Sequence, residues 1–179
     1  MRRLAALLSA ALAAVISAIP AGAALKPGAP APDFTARASL GGKEFDFSLA
    51  EALSRGPVVL YFYPAAFTSG CTIEAHAFAE AIDKYKALGA SVIGVSSDDI
   101  ATLNKFSVSE CRSKFPVAAD ADKKIMTAYD ARLAFGYANR TSYVIAPDGR
   151  IIYEYTALDP SQHVANTLAA VEKWKAEQK

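Results

Sequence analysis

Cysteine and histidine are scarce in this 179-residue chain, two of each, and that scarcity excludes several chemistries at once. His76 and His163 have no cysteine or carboxylate cluster at ligand spacing around them, so no metal site is expected, and nothing points to a bound cofactor. Cys-x-x-Cys spacing is missing too, since the third residue after Cys71 is Glu74, and with it goes the motif of a thiol–disulfide exchanger. An excess of one charge is also lacking. Lys and Arg number 19 against 18 Asp and Glu, for a formal net charge of +1. The basic residues are scattered without forming a stripe, which argues against nucleic acid or an anionic membrane surface as a partner. There is no internal repeat, no low-complexity tract and no sign of a second domain.

Charge is missing altogether between Leu4 and Leu25, a run mostly of Ala and Leu that follows Met1-Arg2-Arg3, breaks at Pro20 and reaches the small residues Ala21-Gly22-Ala23. A positive start, an apolar middle and a small-x-small end predict a signal peptide over residues 1–23. The mature chain, residues 24–179, is then expected to be periplasmic or secreted by the general secretory pathway, with no membrane contact after cleavage. An uncleaved anchor is the competing reading, because the run is nearly long enough to span a bilayer. Export also bears on the cysteines, since an oxidising compartment permits a disulfide between Cys71 and Cys111.

What the chain does have is an ordered succession of patterns. After a Pro-rich leader, Phe34–Phe47 is interrupted by Gly41-Gly42 and predicts a small hairpin, followed by a short helix over Ser48–Leu53. Val58–Tyr63 reads as a buried strand, Cys71–Leu88 as a helix stopped by Gly89, and Ser91–Ser96 as a second apolar strand, together a βαβ unit. Asp98 and Asp99 read as the cap of a helix running to about Cys111, and Ala121–Tyr129 as a shorter one. Thr141–Ala146 and Arg150–Thr156 flank Pro147-Asp148-Gly149, a turn in which Pro presets φ and Gly accepts a positive φ. A last helix begins near Pro160, with Val164, Leu168 and Val171 on one face. The order implies an α/β fold, a mixed sheet flanked by helices on both faces with an N-terminal hairpin extension.

One run carries the chemistry. Pro64-Ala65-Ala66-Phe67-Thr68-Ser69-Gly70-Cys71 brings a strand to a Pro stop and offers a thiol where a helix begins. Free backbone N–H groups and the positive end of the helix dipole favour thiolate over thiol there, and the thiolate is the species that attacks.

Pro64, Thr68 and Cys71 within YFYPAAFTSGCT, Glu74 one turn on, and Arg140 in NRTSYVIAPDGRI resemble the peroxiredoxins, in particular the peroxiredoxin Q or bacterioferritin-comigratory branch. The resemblance runs from about Lys26 to the last helix. It implies a thioredoxin-like fold and a thiol-dependent peroxidase that reduces hydrogen peroxide and small organic hydroperoxides, with electrons from a thioredoxin-like protein or a small thiol. Cys71 takes the place of the peroxidatic cysteine, attacking the terminal peroxide oxygen and leaving as a sulfenic acid. The Thr68 hydroxyl, the N–H groups near Cys71 and the Arg140 guanidinium are expected to stabilise the departing oxygen. Pro64 shields the site and Glu74 orients Arg140.

In many members of that branch the resolving cysteine lies five residues after the peroxidatic one; here that position is His76, which is assigned no role. Cys111 is the other thiol, and some members resolve the sulfenic acid with a cysteine on the later helix. Cys111 is therefore expected either to form a redox-active disulfide with Cys71 or to be a buried structural residue. Two rival functions remain at this level: a periplasmic thiol–disulfide oxidoreductase, and a disulfide-stabilised thioredoxin-like binding module. The assembly is expected to be a monomer or homodimer.

Overall fold

The protein is described by a computed structural model over residues 24–133 and 135–178. The signal peptide read over residues 1–23 lies outside the described residues. No helix among the described residues is long and apolar enough to cross a membrane.

Among the described residues, seven strands form one sheet. Strands β1 (Thr35–Leu40) and β2 (Lys43–Ser48) make the expected hairpin around Gly41 and Gly42, whose φ values of 57° and 77° suit glycine. Helix α1 (Leu49–Leu53) follows, capped by the Ser48 hydroxyl on the Glu51 N–H. Strand β3 (Val58–Phe62), helix α2 (Ser69–Ala87) and strand β4 (Ser91–Ser96) form the βαβ unit, with β3 and β4 parallel. Helix α3 (Ile100–Ser109) leads to strand β5 (Val117–Ala119), and helix α4 (Lys124–Ala128) precedes the hairpin of β6 (Thr141–Ile145) and β7 (Ile151–Thr156). A 3-10 turn at Pro160–Gln162 opens helix α5 (His163–Glu177). Across the sheet the order is β2-β1-β5-β4-β3-β6-β7.

Strand β3 and the residue after it sort their side chains by parity. Val59, Tyr61 and Tyr63 face a core built with Phe78 and Ile82 of α2, Phe106 of α3 and Val171 of α5. Val58, Leu60 and Phe62 face the opposite core, with Leu49 and Leu53 of α1, Met126 of α4 and Tyr129. Every residue of β3 is buried, as a strand covered on both faces must be. Each such side chain contributes about 1.5–3 kcal/mol by leaving water. That burial makes the end of β3 a rigid platform for the residues that follow.

Three readings change. Strand β5 was not anticipated; its three residues pair with β4 on one side and β1 on the other, joining the N-terminal hairpin to the main sheet. Helix α4 starts at Lys124 rather than Ala121, because the Asp120 carboxylate takes the N–H groups of Ile125 and Met126 at 3.0 and 2.8 Å. Helix α3 ends at Ser109, so Cys111 lies just beyond the helix rather than within it.

Candidate active site

The β3 ladder runs out where the sequence predicts. The Tyr63 N–H still reaches the Val95 carbonyl at 3.1 Å, and Pro64 has no N–H with which to continue. Four residues then turn the chain into α2. Ala66 donates its N–H to Asp98 Oδ2 at 2.8 Å, the oxygen that also accepts the Ser96 hydroxyl at 2.7 Å. Phe67 adopts φ 63° and lays its ring edge-on against Phe106, with centroids 5.3 Å apart. A positive φ at a bulky residue is strained by roughly 1–3 kcal/mol and persists only where its surroundings hold it. The Asp98 bond and the Phe106 contact supply that hold.

Asp98 and Asp99 therefore divide the work that the sequence assigned to one cap. Asp99 is the N-cap of α3, accepting the Thr102 N–H at 2.7 Å, whereas Asp98 fixes the turn ahead of Cys71.

Thr68 is the N-cap of α2 in extended conformation, and its carbonyl takes the first helical bond from the Thr72 N–H at 2.9 Å. Cys71 is thus the third helical residue, in the turn whose N–H groups lack helical acceptors. The Thr68 hydroxyl donates to the Ala65 carbonyl at 3.0 Å, so here its hydrogen is engaged within the turn. Cys71 is buried, with 1% of its surface exposed.

Arg140 reaches this sulfur from the sheet. It precedes β6 and is itself buried, and it divides its donors among three partners. Nε bonds to the Leu158 carbonyl at 2.9 Å, Nη1 is ion-paired with Glu74 Oε2, and Nη2 points to Cys71 Sγ at 3.5 Å. Burial works against the Arg140 charge, but Glu74 and Cys71 outweigh it and hold the guanidinium above its ordinary range. Burial pushes the Glu74 carboxyl up, to about 8, against the pull of Arg140. Gly70 makes the approach feasible, since a Cβ there would stand 3.0 Å from Nη2.

Four of the six expected site residues thus lie in one stretch of chain, Pro64, Thr68, Cys71 and Glu74. Arg140 joins Glu74 and Cys71 by direct contact. Cys111 stands apart from these contacts. It is fully buried in the same apolar core as Tyr61, Tyr63 and Phe115, and burial pushes its thiol well above the usual range. Both cysteines are free thiols in this structure, so the expected disulfide is not present in it. His76 pairs with Glu110 at 2.8 Å.

Sequence reasoning missed Gly70, Asp98 and the Leu158 carbonyl. Gly in the first turn just before a cysteine was a usable signal, because glycine is a poor helix former with no local reason to be there. The others come from distant segments and left no spacing to read.

Residues 27–154 match the AhpC/TSA family. The wheat (Triticum aestivum) protein named peroxiredoxin Q, chloroplastic, is 38% identical over 65% of this chain, which spans only 54% of that relative's length. A Helicobacter pylori protein named as a peroxiredoxin, bcp, is 33% identical over 80% of this chain and 98% of its own. The crystal structure of peroxidoxin BcpB from Mycobacterium tuberculosis superposes with a TM-score of 0.75 at 28% identity, over 83% of this chain and 97% of that one. The strand-to-helix turn carrying Cys71 and the arginine held against it lie within the matched stretch, and the chain belongs to the AhpC/TSA family, with peroxiredoxin Q and bcp proteins as relatives.

Proposed function

We propose that this protein is a thiol-dependent peroxidase whose attacking group is Cys71. The observation that carries this is the position of Cys71 Sγ in the first turn of α2, 3.5 Å from the Arg140 guanidinium. Helix N–H groups and a held cation stabilise a thiolate, which attacks the terminal oxygen of a peroxide. An S–O bond forms, the O–O bond breaks and the departing oxygen leaves as an alkoxide or hydroxide that takes up a proton. Arg140 and the first-turn N–H groups supply donors for that developing charge. The Thr68 hydroxyl adds another once it turns from Ala65. The substrates proposed are hydrogen peroxide and small organic hydroperoxides.

Cys71 is left as a sulfenic acid. Condensation with the Cys111 thiol expels water and forms a disulfide, and a thioredoxin-like protein or a small thiol then reduces it. Since Cys111 is buried beyond the end of α3, this step requires local opening of the segment around it. The signal peptide over residues 1–23 puts this activity in the periplasm or outside the cell. The thiol–disulfide exchanger is disfavoured, because the position its second cysteine needs holds Glu74, committed to Arg140.

Intact masses after one equivalent of hydrogen peroxide test the reading, wild type beside Cys111→Ser. Loss of two hydrogens in wild type with one oxygen gained in the variant is the expected result. An oxygen gained in both makes Cys71 a one-cysteine peroxidase awaiting an external thiol. No prompt change in either overturns the proposal.

A further inference from the structure

His163 is fully buried, yet the peroxide chemistry above gives it no task. Its surroundings define its protons. Nε2 lies 2.9 Å from the Ala157 carbonyl, an atom that only accepts, so Nε2 carries a hydrogen in every state. In the neutral ring Nδ1 is then a bare lone pair, accepting the Ser142 hydroxyl at 2.8 Å. Glu74 Oε1 stands 3.7 Å from the same Nδ1. That oxygen is buried and has no hydrogen-bond partner, while its twin Oε2 is taken by Arg140. An unpartnered carboxylate oxygen in a dry interior is an unfavourable arrangement that a single proton relieves, whether it sits on Oε1 or, with the Ser142 hydroxyl turned to accept, on Nδ1.

We propose that Glu74 Oε1 and His163 Nδ1 jointly hold one proton, and that His163 is a positioning residue which thereby governs how much of the Arg140 charge is left for Cys71. With the proton in place the Glu74 charge is blunted and the guanidinium serves the sulfur and the incoming peroxide. When the proton leaves, a full carboxylate competes for the same guanidinium. The proposal rests on the peroxidase reading only for its kinetic consequence.

The geometry closes around this couple. The Ala157 N–H bonds to the Arg140 carbonyl at 3.2 Å, and Leu158 receives Arg140 Nε, so the segment that holds His163 also holds Arg140. The charged and titratable groups facing the imidazole are Glu74 of α2, Arg140 ahead of β6, Tyr155 of β7 with ring centroids 4.8 Å away, and Asp159 on its own segment. Tyr85 of α2 bonds to Thr167, a turn further along α5. Burial lowers His163 and raises Glu74, which directs the shared proton toward the carboxyl.

The test combines rapid-mixing rates of the thiol with hydrogen peroxide across pH 5–9, in wild type and His163→Gln, with the ring 15N resonances of wild-type His163. Wild type is expected to slow by about tenfold, the equivalent of one pKa unit, on an alkaline limb. Nδ1 should shift over the same interval while Nε2 stays protonated, and His163→Gln should move or abolish the limb. A wild-type profile without that limb, a limb unchanged in His163→Gln, or a static Nδ1 overturns the proposal. Should the variant not fold, the wild-type resonances decide it alone. If wild type fails to react with peroxide, the peroxidase reading falls; an Nδ1 titration that disappears in Glu74→Gln still upholds the shared proton, and one that persists refutes it.

Discussion

At the scale of single residues, the site depends on one guanidinium spread over three acceptors. Arg140→Lys keeps the charge but loses the planar fork, so a single ammonium cannot serve the Leu158 carbonyl, Glu74 and Cys71 together. We expect the peroxide reaction to fall by about 10²–10³, the cost of removing one preorganised donor from a developing oxyanion, as read by rapid mixing. Gly70→Ala probes the same contact from the other side. Alanine favours the helix by up to ~1 kcal/mol relative to glycine, yet its methyl would stand 3.0 Å from an Nη2 that cannot move freely. The expected outcome is a melting temperature unchanged or raised together with a slower peroxide reaction. A variant that is both more stable and equally fast would show that the Arg140 position is not critical. Pro64 and Cys71 were legible because a strand stop and a helix start leave local marks, whereas Thr68, Glu74 and Arg140 were named through the resemblance to peroxiredoxins. Leu158 acts through its carbonyl, which any residue possesses, and nothing at its position announces the role.

At the scale of elements, neighbouring aspartates give a controlled comparison. Asp99→Ala removes the α3 cap and should cost about 1 kcal/mol in denaturant unfolding, leaving the peroxide rate as it was. Asp98→Ala strands the Ala66 N–H and the Ser96 hydroxyl, at about 1–3 kcal/mol, and also releases the turn that sets Phe67 and Cys71. That variant should lose both stability and rate. Equal kinetic effects from the two would refute the division of labour. The same elements show what a sequence can and cannot tell. Strands β3, β4, β6 and β7 and helix α2 declared themselves by apolar runs and periodicity. Strand β5 is three residues long and owes its existence to partners on both sides, β4 and β1, which lie far away in the chain. Where α4 begins was equally hidden, because Asp120 decides it by reaching across five and six residues to Ile125 and Met126.

At the scale of the whole molecule, the buried Glu74–His163 couple ties folding stability to pH. Burial holds His163 below its ordinary 6.5 and pushes Glu74 from 4.5 up to about 8. Above 6.5 the unfolded histidine has released its proton while folded Glu74 still holds one. The folded state then binds more protons than the unfolded, and stability falls as pH rises toward 8. The loss from this couple is on the order of 1–2 kcal/mol. Denaturant unfolding at pH 6.5 and 8 should record it, and Glu74→Gln, which cannot titrate, should flatten the difference whatever it does to stability at a single pH. A wild-type stability that rises over this interval would mean that Glu74 is already ionised in the fold. Arg140 would then hold it as an ordinary ion pair, and no proton would be shared with His163.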